Sequence, residues 1–289
     1  MSATGTPAYS PADLIAIELG RRVVDGSVVG CGAFTPLAMA ATMWAKAGHA
    51  GNAILYPISF NATRVDRWFP LSYSHTEGMA LVAGQSLPAI DLFDLAQHRG
   101  MDFELVLPLQ VDAHGNINSA LIGDPRKPKL RGPGSNGIDA LCVMDQKVTV
   151  YVTDHSTRTF VPEVDFVSGA GDATRRGGKT PGGIGFVVTN LCTMELAEGR
   201  WLLRSVHPGV EVEDVRAATG FEIETADDLA TTTPPTKQEL DLLDAVDPLG
   251  IRELDLLSGV QRRRELARLL RREDEYFTEL LARVTGRAR

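Results

Sequence analysis

The sequence predicts an α/β fold, an open and mainly parallel sheet flanked by helices with a helical extension at the end of the chain. Three observations carry this. Short apolar runs, of a length suited to buried strands, recur at Ala53 to Tyr56, Leu105 to Leu107, Val148 to Val152, Gly185 to Val188 and Trp201 to Ser205. Helical stretches alternate with them, and an apolar strand following a helix implies a right-handed crossover to a parallel neighbour. From Glu253 to Val284, Leu257, Val260, Leu266, Leu270, Phe277, Leu281 and Val284 recur at helical spacing among arginines and acids, the pattern of an amphipathic helix or helix pair.

Taken in order, Ser10-Pro11-Ala12-Asp13 supplies an N-cap, a proline in the first turn and an early acid, opening a helix with Leu14, Ile17 and Val24 among its apolar positions. Ser27-Val28-Val29 reads as a buried strand and Gly30-Cys31-Gly32 as a tight turn. Thr35-Pro36 reads as the N-cap and first residue of the next helix. A G-x-G turn can aim helix N-terminal amides at an anion, but the third glycine of a dinucleotide fingerprint is missing. Ala89 to His98 is helical in pattern. The glycine-rich stretch 169–185, with Arg175, Arg176 and Lys179, and the segment Thr231 to Pro235 read as flexible, and Thr236 with Glu239 forms a capping box that opens another helix. Residues 1–250 form one domain in this reading, and 251–289 the amphipathic extension. That extension is expected to dock on another subunit, because it lies beyond an already complete core.

Composition narrows the function. A chain of 289 residues, 44% hydrophobic, can bury a substantial core. Its net charge of −8 and pI near 5.3 argue against a nucleic-acid surface, which needs a basic face, and fit a cytoplasmic metabolic protein. The start of the chain lacks the basic-then-apolar order of a secretory signal. Ser27 to Ala45 is uncharged, but Gly30, Gly32, Thr35 and Pro36 divide it into strand, turn and buried helix rather than a membrane span. Cys31, Cys142 and Cys192 are too scattered for a disulfide framework, and no metal-binding or Ser/His/Asp constellation stands out.

Polar and glycine residues crowd between Leu109 and Leu141. There Gly115, Gly132, Gly134 and Gly137 allow positive φ or close approach of backbone to a ligand, and asparagines are expected to brace the turns. The ordered pattern Gln110, Asp112, Gly115, Asn116, Asn118, Ser119, Ile122, Gly123, Pro128, Lys129, Arg131, Gly134, Asn136 and Gly137 resembles the β subunit of class I CoA-transferases of the glutaconate type. The resemblance continues through Val164 to Val167, Phe186 to Thr189, Glu213 to Val215 and Thr219 to Phe221, and covers roughly residues 10 to 250.

The resemblance implies the sheet architecture shared with sugar-phosphate isomerases. It also implies an acyl-CoA thioester as substrate with no bound cofactor or metal, and an α-type CoA-transferase subunit as partner in a heterodimer or heterotetramer. The family's G-x-G-G CoA-binding stretch belongs to that α chain and is absent here. Residues expected near substrate are Gly30, Gly32, Gln110, Asn116, Asn118, Arg131, Gly132, Gly134, Asn136 and Gly137. A family glutamate ends the strand after the first βα unit and attacks the thioester to give a covalent intermediate. In this chain the matching strand reads Ile54-Leu55-Tyr56-Pro57, so proline, which has neither a nucleophile nor an N–H, stands at that position. Pro108-Leu109 replaces the small residues that expose backbone amides before Gln110, and losing one such oxyanion donor costs about 3 kcal/mol.

Ser59 and Cys31 are the weak substitute nucleophiles; Asn61, His75 and His207 are other nearby polar groups, and Glu77 or Glu104 is a rival carboxylate. The departures favour hydrolysis, C–C cleavage or decarboxylation of an acyl-CoA over CoA transfer. The alternatives are a transferase with another nucleophile and a non-catalytic partner subunit.

Overall fold

The computed structural model describes residues 8–32, 35–57, 61–65, 67–73, 83–88, 90, 91, 94, 98, 101–135, 137–144, 148–171 and 183–285. The first helix, α1 (Pro11–Gly20), has the expected N-cap at Ser10, and with Asp13 it forms a capping box: the Ser10 hydroxyl accepts from the Asp13 amide and the Asp13 carboxylate accepts from the Ser10 amide. It stops at Gly20, where a side chain would collide with the Trp44 ring, so Val24 lies beyond the helix and is exposed. Strand β1 (Val28–Cys31) runs through Gly30, and the expected turn at 30–32 is displaced accordingly. Next is α2 (Pro36–Ala47), buried almost throughout. Thr35 is its N-cap by position only: its hydroxyl donates to the Gly32 carbonyl, and the helix's free Leu37 amide instead donates to Asp255.

There follow β2 (Ile54–Pro57), β3 (Asn61–Val65), β4 (Ala83–Pro88) and β5 (Phe103–Val106). Most of the expected helix 89–98 lies outside the described residues, as does most of the glycine-rich stretch, including Arg175, Arg176 and Lys179. Short strands β6 (Gln110–Asp112), β7 (Ile117–Asn118), β8 (Leu121–Ile122) and β9 (Leu130–Arg131) form the polar region, followed by α3 (Ile138–Met144). The chain then forms β10 (Val148–Val152), β11 (Phe160–Val161), β12 (Ile184–Thr189), β13 (Cys192–Ala197), β14 (Arg200–Val206), α4 (Val212–Ala218) and β15 (Glu224–Thr231). It ends in α5 (Lys237–Val246), a 3-10 helix (Ile251–Leu256) and α6 (Gly259–Thr285).

The main sheet has the order β15-β14-β13-β12-β10-β5-β1-β2-β3-β4. Its centre, from β2 through β1, β5 and β10 to β12, is parallel, and β15 is parallel to β14. Antiparallel β3–β4 and β13–β14 flank the centre, so the sheet is mixed and mostly parallel. Alternation along the strands divides the core between two faces. Tyr151, Phe186 and Val188 join α1 and α2 on one face, while Val148, Val150, Val152 and Val187 join Val111, Ile117 and Trp201 on the other.

The core continues past residue 250. Ile251 and Leu254 are fully buried in the α1–α2 cluster, and Arg252 reaches Asp13, Asp244 and Asp247. The 3-10 helix just after the expected boundary at 250 thus packs in the same cluster as α1 and α2. Even α6 packs inward through buried Leu269 and through Glu273, which accepts from the Tyr73 amide; Val260 and Leu270 face solvent. The segment Thr231 to Pro235, expected to be flexible, is held by Arg21, which donates to the Thr233 and Pro234 carbonyls and pairs with Glu239. Among the described residues no helix is long and apolar enough to cross a membrane.

Candidate active site

The chain travels outward from β1 through β2, β3 and β4, then returns to the other side of β1 with β5 and proceeds through β10 and β12. The boundary between β1 and β5 is thus a topological switch point, where connections diverge and leave a crevice beyond the carboxyl ends of the strands. A cavity of about 80 Å³ lies there, lined by Gly32 after β1, by Glu104, Val106 and Leu107 of β5 and its exit, and by Thr35. Its remaining wall is Ser119, Pro133, Gly134, Ile138 and Leu141, from the polar region and α3.

Most of the polar motif is a brace for this wall. Asn118, fully buried, donates to Gln110 Oε1 at 2.7 Å and to the Leu121 carbonyl at 2.6 Å, while its Oδ1 accepts from the Ala120 and Leu121 amides. Gln110 is tied in turn to Asp165, donating to its carboxylate and accepting from its amide. Asp112 accepts from the His114 and Asn116 amides and from the Asn116 side chain, and Asn116 accepts from the Gly171 amide. Gln110, Asn116 and Asn118 therefore spend their polar capacity inside the protein and hold the loops rather than reaching for a ligand. This accords with the bracing role expected for asparagines here.

The glycines divide by role. Gly132 donates to the Ala120 carbonyl, and a Cβ on it would stand 2.3 Å from the Ser119 carbonyl oxygen, so it is small for close approach. Gly134 has φ +102 with open space around it, and its requirement is conformational rather than steric. Gly137 starts α3, its carbonyl accepting from the Leu141 amide. Arg131 is exposed on β9. Asn136, Ser59, His75 and Glu77 lie outside the described residues, and Asn61 is placed only by its backbone in β3.

Pro57 closes β2 opposite Cys31 of β1. Cys31 is fully buried, its sulfur 3.5 Å from the Thr42 hydroxyl. Burial pushes its thiol up to about 12, with the Thr42 hydrogen bond opposing and the Glu104 carboxylate adding. It is a protonated core thiol, not the activated nucleophile considered from sequence. His207 is equally structural: its ring nitrogens meet Thr232 Oγ1 and the Thr189 carbonyl at 2.8 Å, and burial lowers its pKa.

Two cavity residues were undervalued by sequence reasoning. Ser119 stood in the motif but outside the expected site; it is 2% exposed, and its Oγ has no hydrogen-bond partner among the described residues. Glu104, named from sequence only as a rival carboxylate, lies in β5, 1% exposed, between Gly30 of β1 and Val148 of β10. A Cβ on Gly30 would fall 1.7 Å from Glu104 Oε2. Gly30 is therefore a cradle for this carboxylate, not a turn residue. The signal was a lone acid in the apolar run Phe103-Glu104-Leu105-Val106-Leu107, since a buried charge is far more informative than an exposed apolar residue.

In open α/β sheets ligands bind beyond the carboxyl ends of the strands at a switch point, which is where this cavity lies. Similarity to known proteins narrows the class. The family described as Coenzyme A transferase matches residues 104–218. The chain is 31% identical to the β-type subunit of the 3-oxoadipate CoA-transferase of Pseudomonas knackmussii over 251 residues, spanning 83% of this chain and 94% of that one. It is 34% identical to the cholesterol ring-cleaving hydrolase IpdB subunit of Mycobacterium tuberculosis over 160 residues, 52% of this chain and 62% of the other. Among solved structures, the decarboxylase AibA/AibB superposes with a TM-score of 0.74 at 26% identity, over 84% of this chain and 97% of that chain. The chain belongs to the class I CoA-transferase family and resembles the β-type subunits within it.

Proposed function

We propose that this chain is the β-type subunit of a heteromeric enzyme acting on an acyl-CoA thioester by hydrolysis, C–C cleavage or decarboxylation rather than by moving CoA between carboxylates. The reading rests on the end of β2: the resemblance puts the family's attacking glutamate at the position of Pro57, and Cys31, which pairs with Pro57 in register, is a buried thiol with its pKa pushed up to about 12. Relatives named as a hydrolase and as a decarboxylase support it, because the same fold serves reactions other than transfer. The relative spanning most of the chain is named as part of a transferase, which keeps transfer through another nucleophile as the rival.

The experiment is to incubate the assembled enzyme with acyl-CoA and borohydride, which reduces an enzyme-bound thioester to an alcohol, and to map the product while following labelled acetate. Neither a reduced carboxylate nor labelled CoA ester is expected. Finding both would establish transfer.

The partner is an α-type CoA-transferase subunit. This is supported by the paired naming of the AibA/AibB structure and by the absence of a G-x-G-G stretch in this chain. Gly32 and Gly134 line the substrate crevice in this reading, while Gln110, Asn116, Asn118 and Gly132 position its wall.

A further inference from the structure

The geometry points to Glu104 as a catalytic carboxylate that takes the proton from a water attacking the acyl-CoA carbonyl, with the Ser119 hydroxyl donating to that carbonyl oxygen. This rests on the non-transfer reading above and deepens it. Glu104 and Ser119 line the same cavity, which at about 80 Å³ exceeds the roughly 30 Å³ that one water occupies in the liquid. Ser119 is a buried hydroxyl with its hydrogen-bonding capacity unused among the described residues, a state that is costly to a fold and is characteristic of a group reserved for a ligand.

Glu104 is better placed as a base than as a nucleophile. Attack would require a thioester carbon to reach its carboxylate, and then CoA sulfur to reach its Cδ from above the carboxylate plane. That carboxylate is buried between two parallel strands, and a Cβ on Gly30 would lie only 2.9 Å from Cδ. Proton transfer needs only one water between carboxylate and substrate.

The step balances. The water oxygen bonds to the carbonyl carbon as its proton passes to Glu104, and the carbonyl oxygen gains negative charge beside the Ser119 hydroxyl. Collapse breaks the C–S bond, and Glu104 returns the proton to the departing sulfur. Thioester and water become acid and thiol, and the carboxylate is regenerated.

The test uses the complex of this chain with its α-type partner, with acetyl-CoA, glutaconyl-CoA and 3-oxoadipyl-CoA as probes in ¹⁸O-labelled water. Hydrolysis should place ¹⁸O in the acid product. Glu104→Gln should lower kcat about 10² to 10⁴-fold and abolish the acidic limb of the pH–rate profile. Ser119→Ala should lower kcat while the melting temperature holds or rises, because an unsatisfied buried hydroxyl is removed. If Glu104→Gln does not fold, Ser119→Ala decides: an undiminished kcat overturns the proposal. A hydrolytic wild type with an unimpaired Glu104→Gln variant overturns it while the non-transfer reading stands. Failure of the wild type to hydrolyse any of the three thioesters overturns the proposal alone, because C–C cleavage and decarboxylation remain open to the non-transfer reading; exchange of labelled acetate into CoA ester overturns both.

Discussion

Asn118 uses every donor and acceptor of its amide on Gln110, Ala120 and Leu121, beside the cavity-lining Ser119. Asn118→Ala removes the hydrogen bonds to Gln110 and to the Leu121 carbonyl and those from the Ala120 and Leu121 amides, at about 3 kcal/mol in total, so a fall in denaturation midpoint should accompany any loss of activity. His155 gives a second prediction at this scale. Its Nε2 meets Thr219 Oγ1, whose own proton goes to the Val215 carbonyl, and its Nδ1 meets Thr189 Oγ1, which already accepts from two backbone amides. A second ring proton on Nδ1 would find only the weakly accepting Cys192 sulfur at 3.6 Å beside the already occupied Thr189 oxygen, and burial, with His207 adding, lowers its pKa from 6.5 to about 3. The folded form therefore refuses a proton that the unfolded chain takes up. Its contribution is complete above pH 6.5 and is lost at up to about 1.4 kcal/mol per pH unit as pH falls towards 3. Urea midpoints at pH 7 and pH 5 should differ less in His155→Gln than in the wild type. Motif residues that fold on themselves were legible in the sequence because their partners lie a few positions away. Glu104 was misplaced because its cradle, Gly30, belongs to a different strand and reads locally as a turn.

At the scale of elements, Arg252 holds the 3-10 helix to α1 and α5 through Asp13, Asp244 and Asp247. Desolvation raises the pKa of Asp247, and the Arg252 guanidinium opposes that rise. Arg252→Ala should cost about 3–5 kcal/mol, since Asp13 and Asp247 would remain buried without it. Chemical denaturation at neutral pH measures the loss, and a change under about 1 kcal/mol would show that the site relaxes to admit water. Capping boxes at Ser10 and Thr236 and the apolar central strands were readable from periodicity and local chemistry. The short strands β6 to β9 were not, because pairs such as Leu121 with Arg131 form between segments that carry no alternating pattern.

For the whole molecule, the prediction concerns assembly. The cavity contributes a carboxylate, a hydroxyl and a braced wall, while the chain carries no CoA-binding glycine stretch. Size-exclusion with light scattering should show a heterodimer or dimer of heterodimers on co-expression with the α-type subunit, and the isolated chain should not turn over acyl-CoA. A catalytically competent homomer would sink the idea. Alternation of strands and helices revealed the parallel centre of the sheet, but strand order required contacts distant in sequence, such as β1 with β5.

One contact between residues distant in sequence bears on how the protein is made. The first turn of α2 borders the cavity, and its Leu37 amide is capped by Asp255, a residue 218 positions later. Synthesis at about 5–20 residues per second separates the two by about 11–44 s, during which that helix end stays open beside apolar surface. The crevice is therefore finished only after residue 255 has been made, and nascent chains that stop before it should be the species that chaperones hold.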